Sequence, residues 1–237
     1  MTRMINRYVV KILRRLGFYT VRELVYFSII SKFAKLLRLK SDKLLCLDLG
    51  CGNGKITKML SKVCDTIIGI DIRWSNEWVV DVKMDFIVAD ARKIPLRQGS
   101  MNLIVLLSLL EHVPKWNEVI AEVSRVLRAV GVAIIQLPNL YFVIEPHTYF
   151  PLLGILPKGI RHKIAQLNSS GDLQFDCTIN NVIATVAQHS LKLVGVYRYW
   201  HSGYKTLPTM FLVKKMFPPP SWFLILLKNR KRPNGER

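Results

Sequence analysis

A glycine-rich turn, Asp48-Leu49-Gly50-Cys51-Gly52-Asn53-Gly54, carries the strongest chemical signal in the sequence. It follows a short apolar run and precedes a stretch of helical character. Glycines at alternating positions can take positive φ angles and let the backbone pass close to a ligand. The free N–H groups of such a turn suit a carboxylate or a phosphate. The spacing differs from that of the dinucleotide fingerprint, and Ile56 stands where a P-loop has Ser or Thr.

Two acidic residues follow the next two apolar runs. Asp71 ends the run Ile67–Ile70, and Asp90 follows Phe86–Val88. A carboxylate at the first position can accept hydrogen bonds from both hydroxyls of a ribose, and one at the second could accept from an adenine amino group. A helix N-cap is an alternative role for Asp71. Their order along the chain places both at the carboxyl ends of successive strands, where open α/β sheets bind ligands.

Short apolar runs alternate with helical stretches through most of the chain, which predicts a parallel sheet covered on both faces. The predicted strands are Leu44–Leu49, Thr66–Ile72, Phe86–Val88, Leu103–Leu107, Val132–Leu137, Leu191–Trp200 and Trp222–Lys228. The predicted helices within this pattern are Lys55–Lys62, Trp116–Val130 and Asn180–Ser190.

The chain divides into two parts in this interpretation. Residues 1–40 contain basic helices: an amphipathic helix over 3–16, and a second one that opens with a capping box at Thr20 and Glu23 and runs to about Arg38. Residues 41–237 form the ligand-binding domain. Within it, residues 139–180 are rich in proline, glycine and aromatic residues, and we expect them to form an insertion that covers the site.

The net charge of +19 is concentrated at the two ends of this basic protein. Residues 1–43 carry +9 and residues 201–237 carry +7, whereas the middle carries +3. This distribution predicts that the flanks dock on an anionic membrane, a nucleic acid or an acidic partner, and an ordinary solvated surface is the alternative. No apolar run approaches the ~18 residues of a transmembrane helix. With no signal-peptide pattern, we expect a cytoplasmic protein, with peripheral contact at the inner face of a membrane as an option.

The four cysteines, Cys46, Cys51, Cys64 and Cys177, form no C-x-x-C pair. We expect free thiols in a reducing compartment, without a disulfide partner or a zinc site.

As a set, these motifs resemble the class I S-adenosylmethionine (SAM) dependent methyltransferases, a group that includes small-molecule and quinone-biosynthesis O-methyltransferases. The matching stretches are Leu45–Gly54, Ile68–Asp71, Val88–Ala91, Leu109–Pro114, Arg125–Arg128, Gly131 and Leu137–Asn139. The resemblance covers about residues 40–140, with weaker similarity at 180–200 and 222–230. It implies a Rossmann-like, doubly wound α/β fold: seven mostly parallel strands, an antiparallel C-terminal edge strand, and a helical or irregular insertion after the fifth strand.

The resemblance also implies how SAM would be held. Its methionine end would lie against residues of the glycine-rich turn, namely Asp48, Gly50, Gly52 and Gly54. Asp71 would hold the ribose hydroxyls and Asp90 the adenine amino group. Ile72 and Ala91 would flank the adenine, and Ser108 and Leu109 would lie near the sulfonium.

Some relatives bind a divalent metal through the pattern E-x-x-E-H. Here Ser108 occupies the first position and leaves only Glu111 and His112, so we expect no metal site. His112 is the candidate general base for a hydroxyl acceptor, because its unperturbed pKa lies near neutrality. A role in capping or packing a helix start is the alternative for His112.

Candidates for binding the acceptor lie in the insertion: Tyr141, Glu145, His147 and Tyr149. They could wall an acceptor pocket or simply pack an irregular segment. We therefore expect methyl transfer to a small-molecule or lipid-like acceptor. The alternatives are an RNA or protein methyltransferase that holds its acceptor with the basic flanks, and a non-catalytic binding module that kept the fold.

Overall fold

The computed structural model describes residues 22–139, 153–167, 173–199 and 221–229. Its helices are α1 (Arg22–Arg38), α2 (Lys55–Leu60), α3 (Trp116–Val126), α4 (Lys158–Leu167) and α5 (Ile179–Ala187). Two short 3-10 helices span Leu110–His112 and Leu153–Ile155. The strands are β1 (Leu45–Leu49), β2 (Thr66–Asp71), β3 (Met84–Val88), β4 (Met101–Leu107), β5 (Leu127–Pro138), β6 (Leu191–Tyr199) and β7 (Ser221–Lys228).

The seven strands form one sheet in the order β3-β2-β1-β4-β5-β7-β6. The first five strands pair in parallel, and β7 runs antiparallel to both β5 and β6. The predicted mostly parallel α/β fold is thereby confirmed. The C-terminal strand β7 lies inside the sheet, so that β6 forms the edge. The direction of winding reverses between β1 and β4, which is the point where open α/β sheets place their ligands.

Each face of the sheet is covered by its own helices, because side chains along a strand alternate between faces. Leu47 and Leu49 of β1 belong to the apolar layer that α3 and α5 cover. Leu44 and Cys46 belong to the opposite layer, which α1 covers. The buried side chains of α1, spaced to fall on one helical face, are Tyr26, Ile30, Ala34 and Leu37. This three-layer packing fixes the strand ends that build the site.

The predicted helix over Trp116–Val130 is too long. The helix α3 ends at Val126, and Leu127 is already part of β5, where it pairs with Met101 of β4. The apolar spacing of Val123, Val126 and Leu127 fits a helical face, so the sequence pattern does not reveal the change. Pairing with a neighbouring strand overrides the local preference at this boundary.

The prediction of four free thiols is also wrong in part. Cys46 in β1 and Cys64, just before β2, form a disulfide with their Cα atoms 6.2 Å apart. Both are buried in the apolar layer under α1. No pattern in the sequence indicates the pair, because the two cysteines are 18 positions apart with the glycine-rich turn and α2 between them. Cys51 and Cys177 are buried free thiols, as expected.

Candidate functional site

A crevice of about 500 Å³ opens at the carboxyl ends of the parallel strands. Its lining comes from four segments: the glycine-rich turn after β1, the end of β2, the segment after β3, and the segment after β4. The predicted site residues that line it are Gly50, Gly52, Asp71, Ile72, Asp90, Ala91, Ser108, Leu109 and His112. The structure therefore brings together residues that lie up to 62 positions apart in the sequence.

The glycine-rich turn takes the backbone conformation that its glycines allow. Gly50, Gly52 and Gly54 have φ angles of 78°, 55° and 78°. A Cβ atom on Gly50 would lie 2.7 Å from Leu109 Cδ1, whereas one on Gly52 would meet nothing within 4 Å. The N–H groups of Gly50 and Cys51 both donate to the Ile70 carbonyl, at 2.7 and 3.0 Å. The turn is thus fixed on the end of β2 and leaves open space beside Gly52.

Asp71 lies at this open space. Its Oδ2 accepts a hydrogen bond from the Gly52 N–H at 2.8 Å, and its Oδ1 accepts from the Arg73 N–H at 3.1 Å. An ionised carboxylate has about four lone-pair sites, so both oxygens retain accepting capacity toward a ligand. The side chain therefore joins the glycine-rich turn to the crevice, at the position where it could accept from a ribose.

Asp48 and Gly54 are the two predicted cofactor residues outside the crevice lining. Asp48 is buried beneath the turn, where its Oδ2 accepts a hydrogen bond from Thr57 Oγ1 at 2.7 Å. Burial, only partly offset by that hydrogen bond, raises the pKa of Asp48 to about 6. Gly54 is the N-cap of α2. Both residues support the turn from the protein side.

Asp90 has a partner that the sequence analysis missed. Arg92 forms a salt bridge with its carboxylate at 2.6 Å, and the Arg92 N–H also donates to Asp90 Oδ1 at 2.8 Å. Hydrogen bonding from Arg92 holds the pKa of Asp90 below its usual range. Both residues line the crevice. Any ligand amino group that reaches Asp90 must share the carboxylate with this guanidinium.

Ser108 directly follows β4 and has an unusual conformation, with a positive φ of 53°. Its Oγ donates to Gln136 Oε1 at 2.6 Å, and Gln136 Nε2 in turn donates to Ser221 Oγ at 3.3 Å. Positive φ at a residue other than glycine is uncommon and concentrates at functional sites. The buried Gln136 gave no sequence signal, because it lies inside an otherwise apolar strand.

His112 is exposed at the end of a 3-10 helix and lines the crevice beyond Leu109. Its neighbour Glu111 is fully buried and does not line the crevice. In the described segments, no three side chains of the metal-binding types cluster together. The acceptor candidates Tyr141, Glu145, His147 and Tyr149 lie outside the described residues, as does the predicted helix over 3–16.

The crevice fits an adenosyl group that carries a charged tail. Asp71 offers carboxylate oxygens at the turn, and Ile72, Ala91 and Leu109 supply apolar wall. The space beside Gly52, which no neighbouring atom fills, leaves room for a ligand to approach the backbone.

The known proteins that are similar to this chain in sequence are described as methyltransferases. Residues 47–135 match the model of a family described as a methyltransferase domain. A probable S-adenosylmethionine-dependent methyltransferase of Mycolicibacterium smegmatis is 29% identical over 98 residues, which is 39% of this chain and 37% of that protein. A ubiquinone biosynthesis O-methyltransferase of Bartonella quintana is 24% identical over 105 residues, 41% of this chain and 42% of that protein. The matched region therefore spans less than half the length of these two relatives.

Solved structures share the fold at low sequence identity. A SAM-dependent methyltransferase from Mesorhizobium loti superposes with a TM-score of 0.61 at 16% identity, covering 82% of this chain and 96% of that one. The cyclase SpnF has a TM-score of 0.53 at 12% identity, covering 85% of this chain and 81% of its own. At these identities the likeness shows the fold alone, and a cyclase among the neighbours illustrates that the fold does not fix the reaction. Residues 47–135 are thus similar to a methyltransferase domain, and the strand order and the crevice at the glycine-rich turn agree with that similarity.

Proposed function

We propose that the protein transfers a methyl group from SAM to a small-molecule or lipid-like acceptor. The observation that carries the proposal is the crevice at the glycine-rich turn, where the Asp71 carboxylate is fixed by the Gly52 N–H at 2.8 Å. When bound, SAM supplies a methyl group already activated on a sulfonium, which an acceptor takes by in-line displacement. The protein then has to bind and orient the donor and the acceptor and to exclude water. A site built of backbone groups and a few carboxylates suits these tasks.

In this proposal the residues around the crevice have separate tasks. Asp71 binds the ribose hydroxyls, and Gly52 admits the methionine end close to the backbone. Ile72 and Ala91 flank the adenine, with Asp90 and its partner Arg92 at the same end. Ser108 and Leu109 lie beneath the acceptor, and Ser108 is fixed there by Gln136. Asp48 supports the turn from below.

His112 is the proposed general base where the acceptor atom is a hydroxyl. It lines the crevice at an exposed position, so that an acceptor can reach its ring and a proton taken from the hydroxyl can pass to water. Imidazole titrates near neutral pH, which suits this task. An amine or thiolate acceptor needs no such base.

The type of acceptor is supported by two observations. The Bartonella quintana relative is named for O-methylation in ubiquinone biosynthesis, which is chemistry on a lipid-like hydroxyl compound. Ile72 lines the crevice and is 65% exposed, so the entrance has apolar surface for such a molecule. We also propose peripheral contact with an anionic membrane, motivated by the +19 net charge. In the part of the chain that is described, no helix is long and apolar enough to cross a membrane.

Calorimetric titration with SAM tests the donor part of the proposal. The wild type should bind SAM, and Asp71→Ala should weaken binding about tenfold or more, because hydrogen bonds to a charged group contribute about 1.5–3 kcal/mol. Asp85→Ala is the matched control: this carboxylate is exposed on β3 and does not line the crevice. A wild type that binds no SAM, or an Asp71→Ala variant that binds as well as the control, contradicts the proposal.

Methyl-labelled SAM tests the acceptor part. The protein is incubated with label and a cell extract, which is then separated into lipid, RNA, protein and small-molecule fractions. Label in the lipid or small-molecule fraction supports the proposal. Label confined to RNA or protein overturns the proposed acceptor and supports the alternative in which the basic flanks hold a macromolecule. Sedimentation with anionic vesicles at low and high salt tests the membrane contact. Binding that does not depend on the charge of the vesicles contradicts the proposed contact.

A further inference from the structure

Residues 75–78, which we call the strap, cross from the end of β2 to the outer side of the glycine-rich turn. The Trp78 indole N–H donates to the Gly52 carbonyl at 2.8 Å. The neighbouring Glu77 carboxylate accepts from the Asn53 side-chain amide at 3.2 and 3.4 Å. Two successive residues of the strap thus hold two successive residues of the turn.

Trp78 is itself held in place from β3. Its ring stacks on Phe86 with a centroid distance of 4.8 Å and an interplanar angle of 11°. Phe86 packs against two glycines: a Cβ atom would lie 3.0 Å from its ring on Gly54 and 2.6 Å on Gly69. Side chains at those positions would displace the ring, so the absence of Cβ atoms lets Phe86 carry Trp78 close to the turn.

The consequence is that both backbone groups of Gly52 are hydrogen-bonded. Its N–H donates to Asp71 on the crevice side, and its carbonyl accepts from Trp78 on the strap side. Gly52 has a φ of 55° and open space on its Cα, so its neighbours impose little steric restraint on it. These two hydrogen bonds are the restraints that fix its orientation toward the ligand.

We propose that Trp78 is a positioning residue for the methyl donor: its indole N–H holds the Gly52 backbone in the orientation that receives the methionine end of SAM. This inference rests on the proposed function. Trp78 does not line the crevice and acts only through Gly52. A preformed turn spares SAM the conformational entropy of ordering it, and therefore binds more tightly.

The test compares Trp78→Phe with Trp74→Phe by calorimetry. Phenylalanine at 78 keeps a smaller aromatic ring for contact with Phe86 and lacks the indole N–H donor, whereas Trp74 is 69% exposed and lies outside the strap. Losing one net hydrogen bond should raise the Kd for SAM roughly two- to tenfold in Trp78→Phe. It should leave Trp74→Phe unchanged. The Kd for 5′-methylthioadenosine, which lacks the amino-acid end, should rise less than the Kd for SAM in Trp78→Phe.

An unchanged Kd in Trp78→Phe overturns the inference, as does an equal rise for SAM and 5′-methylthioadenosine, because general loosening of the fold would affect both ligands alike. If Trp78→Phe fails to fold, variants of the Asn53–Glu77 contact test the inference instead. Asn53→Asp sets two carboxylates against each other and should weaken SAM binding, and adding Glu77→Gln should restore it. If the added Glu77→Gln change does not restore SAM binding, the inference that the strap positions the turn is overturned.

Amide hydrogen exchange separates this inference from the proposed function, because it needs no ligand. Peptides that contain residues 51–54 should exchange faster in Trp78→Phe than in wild type or Trp74→Phe. A wild type that binds no SAM overturns the proposed function, and the exchange rates still decide whether the strap holds the turn. Equal exchange rates in all three proteins overturn the inference that the strap holds the turn.

Discussion

At the scale of single residues, Asp48 shows how the fold sets the state of a charge. It is buried under the glycine-rich turn, and burial raises its pKa to about 6. The nearby Asp71 carboxylate raises the pKa further, while the hydrogen bond from Thr57 lowers it. Near neutral pH, small changes in the local charge therefore shift the protonation of Asp48.

Binding of SAM should consequently depend on pH through Asp48. In the proposed binding mode, the sulfonium and ammonium groups of SAM lie above the turn that covers Asp48, and their positive charge favours the ionised carboxylate. The affinity should therefore rise as pH increases from about 5 to 7, and binding at pH 6 should release a proton. Titrations in buffers of different ionisation enthalpy measure that proton. Asp48→Asn should remove most of both effects. A pH dependence that is unaltered in Asp48→Asn contradicts this assignment.

The same residue affects stability with a definite sign. Its pKa is higher in the folded state than the ordinary value of 3.8, so the folded state binds more protons between pH 4 and 6. The contribution of Asp48 to the unfolding free energy therefore falls as pH rises through that window, and the burial of its ionised form opposes folding above pH 6. A buried carboxylate of this kind favours the binding of a cationic ligand, whereas its ionised form lowers the free energy of unfolding.

At the scale of elements, α3 is tied to the segment that follows Asp90 and Arg92. Glu122 accepts from Arg125 Nε at 2.6 Å and from the Ile94 N–H at 2.7 Å. Arg125 also donates to the carbonyls of Leu96 and Ile94, each at 2.8 Å. Hydrogen bonding from Arg125 holds the pKa of Glu122 below its usual range. One helix thus fixes the backbone that carries one end of the crevice.

Replacing Arg125 with methionine should release that backbone. The change keeps the apolar stem and removes the charged hydrogen bonds, so we expect the unfolding free energy to fall by about 2 kcal/mol. Amides of residues 92–97 should exchange faster. Arg128→Met is the control, because the hydrogen bonds of Arg128 are longer, at 3.3 and 3.5 Å. Urea unfolding and hydrogen exchange measure both effects, and an equal loss in the two variants would contradict the assignment.

The elements were more predictable from sequence than their boundaries or contacts. Buried parallel strands produce continuous apolar runs, and turn residues follow them, so all seven strands were found. The end of α3 was missed because Leu127 suits a helix as well as a strand. Arg92, Gln136 and Trp78 were missed for another reason: their importance comes from partners that only the folded chain brings close, such as Asp90, Ser108 and Gly52.

At the scale of the whole molecule, the Cys46–Cys64 disulfide closes a loop that contains α2 and the glycine-rich turn. The loop spans 18 residues, for which the chain-entropy treatment gives a stabilisation of about 3 kcal/mol. Neither cysteine lines the crevice, so the disulfide acts on stability and not directly on ligand contacts.

Reduction should therefore lower the unfolding free energy by about 3 kcal/mol, measured by urea unfolding with and without dithiothreitol. The Cys46→Ala/Cys64→Ala double variant should be insensitive to the reductant. Alkylation in denaturant without reductant, read by peptide mass, should modify Cys51 and Cys177 alone. Modification of all four thiols in the oxidised wild type would show that the pair is not formed.

The strand order has a consequence for how the molecule is made. In the described residues, β6 pairs with β7 alone, and β7 lies between β5 and β6. During synthesis β6 therefore emerges from the ribosome before the strand that joins it to the sheet. Before β7 is complete, the nascent chain contains the parallel strands β1 to β5 together with β6. The edges of β5 and β6 that β7 pairs with are then exposed. Such edges are prone to aggregation, so the chain is most vulnerable in the interval between the synthesis of β6 and the pairing of β7 with the sheet.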